Sequence, residues 1–90
     1  MESILSIDIP VQMFSCTDTT GKITPLRFRF RDKTGEIIAV YIESIIKAEQ
    51  DKNVFGANFT CSAFIFGEKK TFTLRYNYQA HEWRLSRISV

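Results

Sequence analysis

The chain is poor in the residues on which most enzyme and metal chemistry depends. It has one histidine, two cysteines and four glycines among 90 residues. General acid–base catalysis at neutral pH draws on His, Cys or paired carboxylates with tuned pKa values. His81 falls in a polar turn beside Glu82, and the sequence offers no Ser or Cys to pair with it as a nucleophile. Cys16 and Cys61 stand far apart without C-x-x-C spacing. One histidine added to them does not make the local ligand set a structural zinc needs. Each glycine is isolated and marks a turn, so no phosphate-cradling loop exists. Asp18, Asp32 and Asp51 all fall where turn chemistry alone calls for Asp. The expectation is a protein that is not an enzyme and takes no cofactor and no metal.

Other absences bear on location. No apolar run approaches the ~20 residues of a membrane-spanning helix. The opening residues Met1 to Ser6 lack the positive segment and apolar stretch of a secretory signal. A cytoplasmic location is expected, in which Cys16 and Cys61 are small reduced core residues. The match of Asn58-Phe59-Thr60 to a glycosylation site then carries no meaning. With two prolines and four glycines, the chain is also unlike a linker. It is read as one domain, 1–90, with 1–7 a loose N-terminal tail.

Aromatic residues are plentiful: eight Phe, three Tyr and one Trp. They favour a pleated, half-buried surface. The net charge of +2 is lower than expected for a dedicated duplex-DNA binder of this size. Its distribution is uneven. Residues 22–33 carry Lys22, Arg27, Arg29, Arg31 and Lys33 against Asp32, and residues 69–90 are again basic. Residues 36–51 lean acidic through Glu36, Glu43, Glu49 and Asp51.

Periodicity points to strands. Val11 to Cys16 has strand composition and runs into a turn at Asp18-Thr19-Thr20-Gly21. Leu26, Phe28 and Phe30 then alternate with Arg27, Arg29 and Arg31, a period of two with one face buried. Asp32-Lys33-Thr34-Gly35 reads as a hairpin loop. Residues 36–50 fit a helical stripe through their isoleucines, but five Ile and Val40 are β-branched and no good N-cap precedes them. They are read as a long strand bent near Ser44, with the helix kept as the alternative. The strand gives a register: Phe30 opposite Ile38, Phe28 opposite Val40, Leu26 opposite Ile42 and Arg27 opposite Tyr41. A hairpin with a type II′ turn at Gly67-Glu68 would pair Ala63 with Phe72, Cys61 with Leu74 and Phe59 with Tyr76. A final strand holds Trp83-Arg84-Leu85. The fold class expected is all-β, a single small antiparallel six-stranded meander curled into an open barrel, SH3-like or OB-like. A two-sheet sandwich is the second choice.

The stretch from Pro10 to Asp18, then Gly21-Lys22-Ile23-Thr24-Pro25-Leu26-Arg27-Phe28-Arg29-Phe30, with Tyr76 and Trp83-Arg84-Leu85, resembles a group of short bacterial all-β proteins of unknown function. That resemblance covers most of the chain and implies a bacterial cytoplasmic protein. It brings no activity, cofactor or binding residue.

Two surface features remain as sites. Phe64 and Phe66 fall on the hairpin face opposite Ala63 and Ile65. They are expected either beneath another layer of the same chain or at a homodimer or protein interface, because large exposed apolar patches mark interfaces. Arg27, Arg29 and Arg31, with Tyr41 beside them and Arg75 added, form the second candidate. Arginines meeting phosphates and rings stacking on bases are how small barrels hold single-stranded nucleic acid. The plain alternative is a solvated strand face that discourages edge-to-edge aggregation. The sequence thus predicts a non-enzymatic binding domain, a protein-interaction or homodimer module, with weak single-stranded nucleic-acid binding as the alternative. A small-molecule site inside the barrel is given little room, since such pockets start near ~300 Å³.

Overall fold

Alternation in the arginine segment becomes strand β2, Ile23–Arg31, in a computed structural model that describes residues 4–51 and 55–89. Before it runs β1, Ile4–Thr17; after it come β3, Ile37–Tyr41, and β4, Ser44–Asp51. Strands β5, Gly56–Ile65, β6, Glu68–Asn77, and β7, Glu82–Ser89, complete the set. The described residues are all-β, and no helix among them is long and apolar enough to cross a membrane. Every pairing is antiparallel, in the order β3-β2-β1-β7-β6-β5-β4. Apart from β1 beside β7, neighbours in the sheet are neighbours in sequence, so the fold lacks a Greek-key connection.

The count is seven rather than six because the long strand over 36–50 breaks in two. At the break the chain changes partners: the Ile42 N–H donates to the Leu26 carbonyl, and the Glu43 N–H donates to the Ser62 carbonyl. Residues before the break pair with β2 and residues after it pair with β5. Strand β1 is shared the same way, its first half along β7 and its second half along β2. These two shared strands curl the sheet into an open barrel.

The two hairpin loops of β1–β2–β3 repeat one design, Asp-x-Thr-Gly. Asp18 Oδ1 accepts from the N–H groups of Thr20 and Lys22 and from the Thr20 hydroxyl. Asp32 Oδ1 does the same for Thr34, Glu36 and the Thr34 hydroxyl. Gly21 and Gly35 take φ of +88° and +86°, which a residue with a Cβ resists. Hydrogen bonds, that from the threonine hydroxyl foremost, hold both carboxyls below their ordinary pKa of 3.8.

The core joins both parts of the barrel. Phe28 from β2 meets Phe72 from β6 edge to face at 5.4 Å, and Val40, Leu74 and Leu85 are equally buried around them. A second aromatic group lies further along the barrel, where Trp83 packs on Tyr76 at 4.8 Å and on Phe59 at 5.5 Å.

Besides the strand count, the structure corrects five readings of the fold. Residues 4–7 are strand, Ile4 opposite Ser89 and Leu5 opposite Ile88, and not a loose tail; residues 1–3 lie outside the described residues. Leu26 is 50% exposed, because a bulge sets Phe14 opposite Arg27 and Ser15 opposite Pro25, and Pro25 takes the buried place. Cys16 is exposed on β1, while Cys61 is buried. Asp51 ends β4 and is not in a loop.

The fifth correction is the β5–β6 turn, which is Phe66-Gly67 and not Gly67-Glu68. Both of its residues have positive φ, +52° and +77°, the signature of a type I′ turn that matches the strand twist. Register therefore slips by two residues: Cys61 faces Phe72, Phe59 faces Leu74 and Ala57 faces Tyr76. A slip of two preserves which side chains point inward.

Candidate nucleic-acid interface

The second half of β1 with β2 and β3 forms a three-stranded face whose inner side is sealed by Phe28 and Val40. Its outer side carries the alternate residues. Register aligns them into rows: Phe14, Arg27 and Tyr41; then Gln12, Arg29 and Ala39; then Arg31 and Ile37. The three arginines stand along one strand, two residues apart, so neighbouring side chains leave the backbone at about 7 Å intervals.

Each arginine is oriented by a neighbour. The Arg27 guanidinium carbon lies 4.3 Å from the Phe14 ring centroid and 5.7 Å from that of Tyr41. Those distances are within reach of cation–π attraction. Arg29 donates through Nε to Gln12 Oε1. Arg31 donates through Nη1 to the Gly35 carbonyl at 2.9 Å. A guanidinium has five N–H donors, so the single bonds of Arg29 and Arg31 use only one donor of each fork. The ion pairs of the described residues lie elsewhere. Glu43 meets Lys69 at 3.7 Å and Glu49 meets Lys47 at 3.5 Å.

Between the rows the surface dips. Ala39, the smallest side chain of its row, lies in a depression of about 150 Å³ walled by Phe14, Arg27, Arg29 and Tyr41. A second dip of about 280 Å³ continues past Arg29 and Arg31 to Ile37. Tyr41 is 65% exposed, which leaves ring surface open to a stacking partner.

Arg75 does not join this face. It stands on β6, three strands from β2 in the sheet order, and its Nε lies 3.9 Å from Asp51 Oδ2 and 3.5 Å from Asn58 Oδ1. Phe14 and Gln12 do join it, although sequence reasoning missed both. The signal for them is the Asp18–Gly21 turn, which folds β1 back along β2; the bulge at Leu26 then decides that Phe14 meets Arg27.

Phe64 and Phe66 sit apart from the arginines, at the end of the β5–β6 hairpin. They are 61% and 81% exposed, so no other part of the described chain covers them. His81 is an exposed turn residue whose Nδ1 is 3.3 Å from the Tyr76 hydroxyl. Among the described residues, no three His, Cys, Asp or Glu side chains converge as metal ligands would.

One larger hollow lies at the opening of the barrel. Where the chain leaves β2 and joins β5, the start of β2 and the end of β4 diverge without pairing. The cleft between them holds about 350 Å³, more room than the sequence reading allowed. No protein-family model matches this chain, and neither a curated protein nor a solved structure matches it at a significant level.

Proposed function

We propose that this protein is a non-enzymatic binding domain that holds a short run of single-stranded nucleic acid across the outer face of β1, β2 and β3. One observation carries the reading: Arg27 lies between Phe14 and Tyr41 in a single cross-strand row, with Arg29 and Arg31 next to it on the same side. Phosphates meet the outward guanidinium donors, and a base stacks on the open ring of Tyr41. Stacking is tolerant of sequence, so the binding expected is weak and largely electrostatic. Three phosphate contacts give a slope of log K against log salt of about −2 on a single strand.

Fluorescence anisotropy of labelled single-stranded DNA and RNA, titrated at several salt concentrations, tests the reading. Binding with that slope, lost on Arg27→Ala with Arg29→Ala, supports it. No binding at low salt sinks it and leaves the arginines as a solvated strand face.

A second reading rests on Phe64 and Phe66, two rings exposed at one hairpin end. Its occupant is a second copy of the chain, and its mark is association that rises with protein concentration. Phe64→Asp then returns the protein to a folded monomer. An unchanged elution volume at every concentration removes it.

A further inference from the structure

The cleft at the barrel opening has the construction of a small-molecule site. Ala48 and Gln50 of β4 pair with Phe59 and Ala57 of β5, so their side chains share the barrel's inward face. Phe59 and Ala57 are buried, yet Ala48 and Gln50 are exposed. An inward face open to solvent is what a closed barrel would lack. Its floor is apolar and aromatic: Ala57, Phe59 and Tyr76, with Ala48 and Ile23 on the two walls.

That floor is braced. Phe59 and Tyr76 both pack on Trp83, and Tyr78 meets Tyr76 edge on at 5.3 Å. The Tyr76 hydroxyl lies within hydrogen-bond distance of His81. Small residues at Ala48 and Ala57 keep the space between the walls free for a flat ring. The rim, by contrast, is polar and holds one cation. Thr20, Lys22, Gln50 and Tyr78 border the cleft; the Thr20 hydroxyl already donates to Asp18 Oδ1, Lys22 is the cation, and the bordering carboxylate Glu49 is in an ion pair with Lys47. An apolar, largely preformed pocket with a few convergent polar groups is the usual form of a ligand site.

We propose that this cleft binds a small planar aromatic anion, an arene carboxylate or sulfonate, with its rings against Phe59 and Tyr76 and its charge toward Lys22. The site is separate from the arginine face and stands or falls without it.

Titration of the ¹⁵N-labelled protein with 2-naphthoate tests this. Backbone signals of Lys22, Ile23, Ala48, Gln50 and Ala57 should shift together and saturate at up to about 1 mM ligand. Ala48→Phe, on an exposed strand position, fills the cleft and should weaken binding about tenfold or more. Lys22→Glu should weaken naphthoate, and 1-naphthylmethylammonium should bind less well than naphthoate to the unaltered protein. Arg27→Ala should leave all of these results unchanged. An unaltered urea midpoint shows that each variant is folded. No saturable shift, or full binding in Ala48→Phe, overturns the site. Equal binding of the cation overturns its preference for an anion.

Discussion

The guanidinium of Arg27 lies over the ring of Phe14, 4.3 Å from its centroid, although the two residues belong to different strands. The contact depends on a bulge, because without the extra residue Leu26 the simple hairpin register would place Phe14 elsewhere. It separates two roles of the arginine. Arg27→Lys keeps the charge but loses the flat cation that packs between rings. The salt slope of nucleic-acid binding should persist in that variant while affinity falls. Tyr41→Ala should cost about 1–3 kcal/mol of binding, the usual worth of one base stacked on one ring. Anisotropy titrations of both variants check the pair.

Phe66 holds φ at +52°, in the left-handed region that a bulky side chain seldom adopts. Phe66→Asn places a residue suited to the first position of a type I′ turn. Urea unfolding should show a gain of about 0.5–1 kcal/mol in stability. If the ring also mediates self-association, the same variant should be a monomer at every concentration.

The two thiols should react at very different rates. Cys16 is exposed, whereas burial pushes the Cys61 thiol up to about 12. A disulfide reagent at pH 8 should modify one thiol promptly and the second only when denaturant opens the core. Two equally fast thiols would show that β5 is not packed as described.

Asp18 and Asp32 tie acid stability to the two Asp-x-Thr-Gly loops. Both carboxyls are held below 3.8 by hydrogen bonds. A lowered folded pKa means the loops contribute stability above the unfolded value, and lose it as pH falls through the folded one. Asp18→Ala and Asp32→Ala should lower the urea midpoint at neutral pH, and the difference from the unaltered protein should shrink as the pH falls below 3.8 and both carboxylates become protonated. A difference that stayed constant with pH would mean the carboxylate charge is not what these loops use.

Phe28 is 1% exposed and touches Phe72 from the other part of the barrel. Phe28→Ala should cost about 3–5 kcal/mol. Against a total of about 5–15 kcal/mol for a small domain, thermal melting should fall sharply or disappear.

Local signals in the sequence were enough for much of this. The period of two in β2 and the matched isoleucines opposite it fixed the all-β class and the pairs Phe28–Val40 and Arg27–Tyr41. The bend at Ser44 was legible too, in a strand too long to stay with one neighbour. Features set by distant partners were not. Ile4 and Leu5 read as a tail because only Ser89 and Ile88 make them strand. Arg75 looked like part of the stripe because basic residues near in composition carry no information on sheet order. The β5–β6 register was off by two because Gly67 suits either turn position, and twist alone puts an aromatic at the first. The cleft left no sequence trace, since it arises where two strands part and not from any motif.

The pairing of β1 with β7 has a consequence for how the molecule is made. Arg84 reaches Asp8 across 76 residues of sequence, Nε to Oδ1 at 2.6 Å. A ribosome therefore releases the first half of β1 long before its neighbour in the sheet exists. Until residues 82–89 emerge, Leu5, Ile7 and Ile9 form an apolar segment with an unpaired edge, the kind of surface on which nascent chains stick to one another. Of the seven strands described, the one made earliest is among the last to be secured.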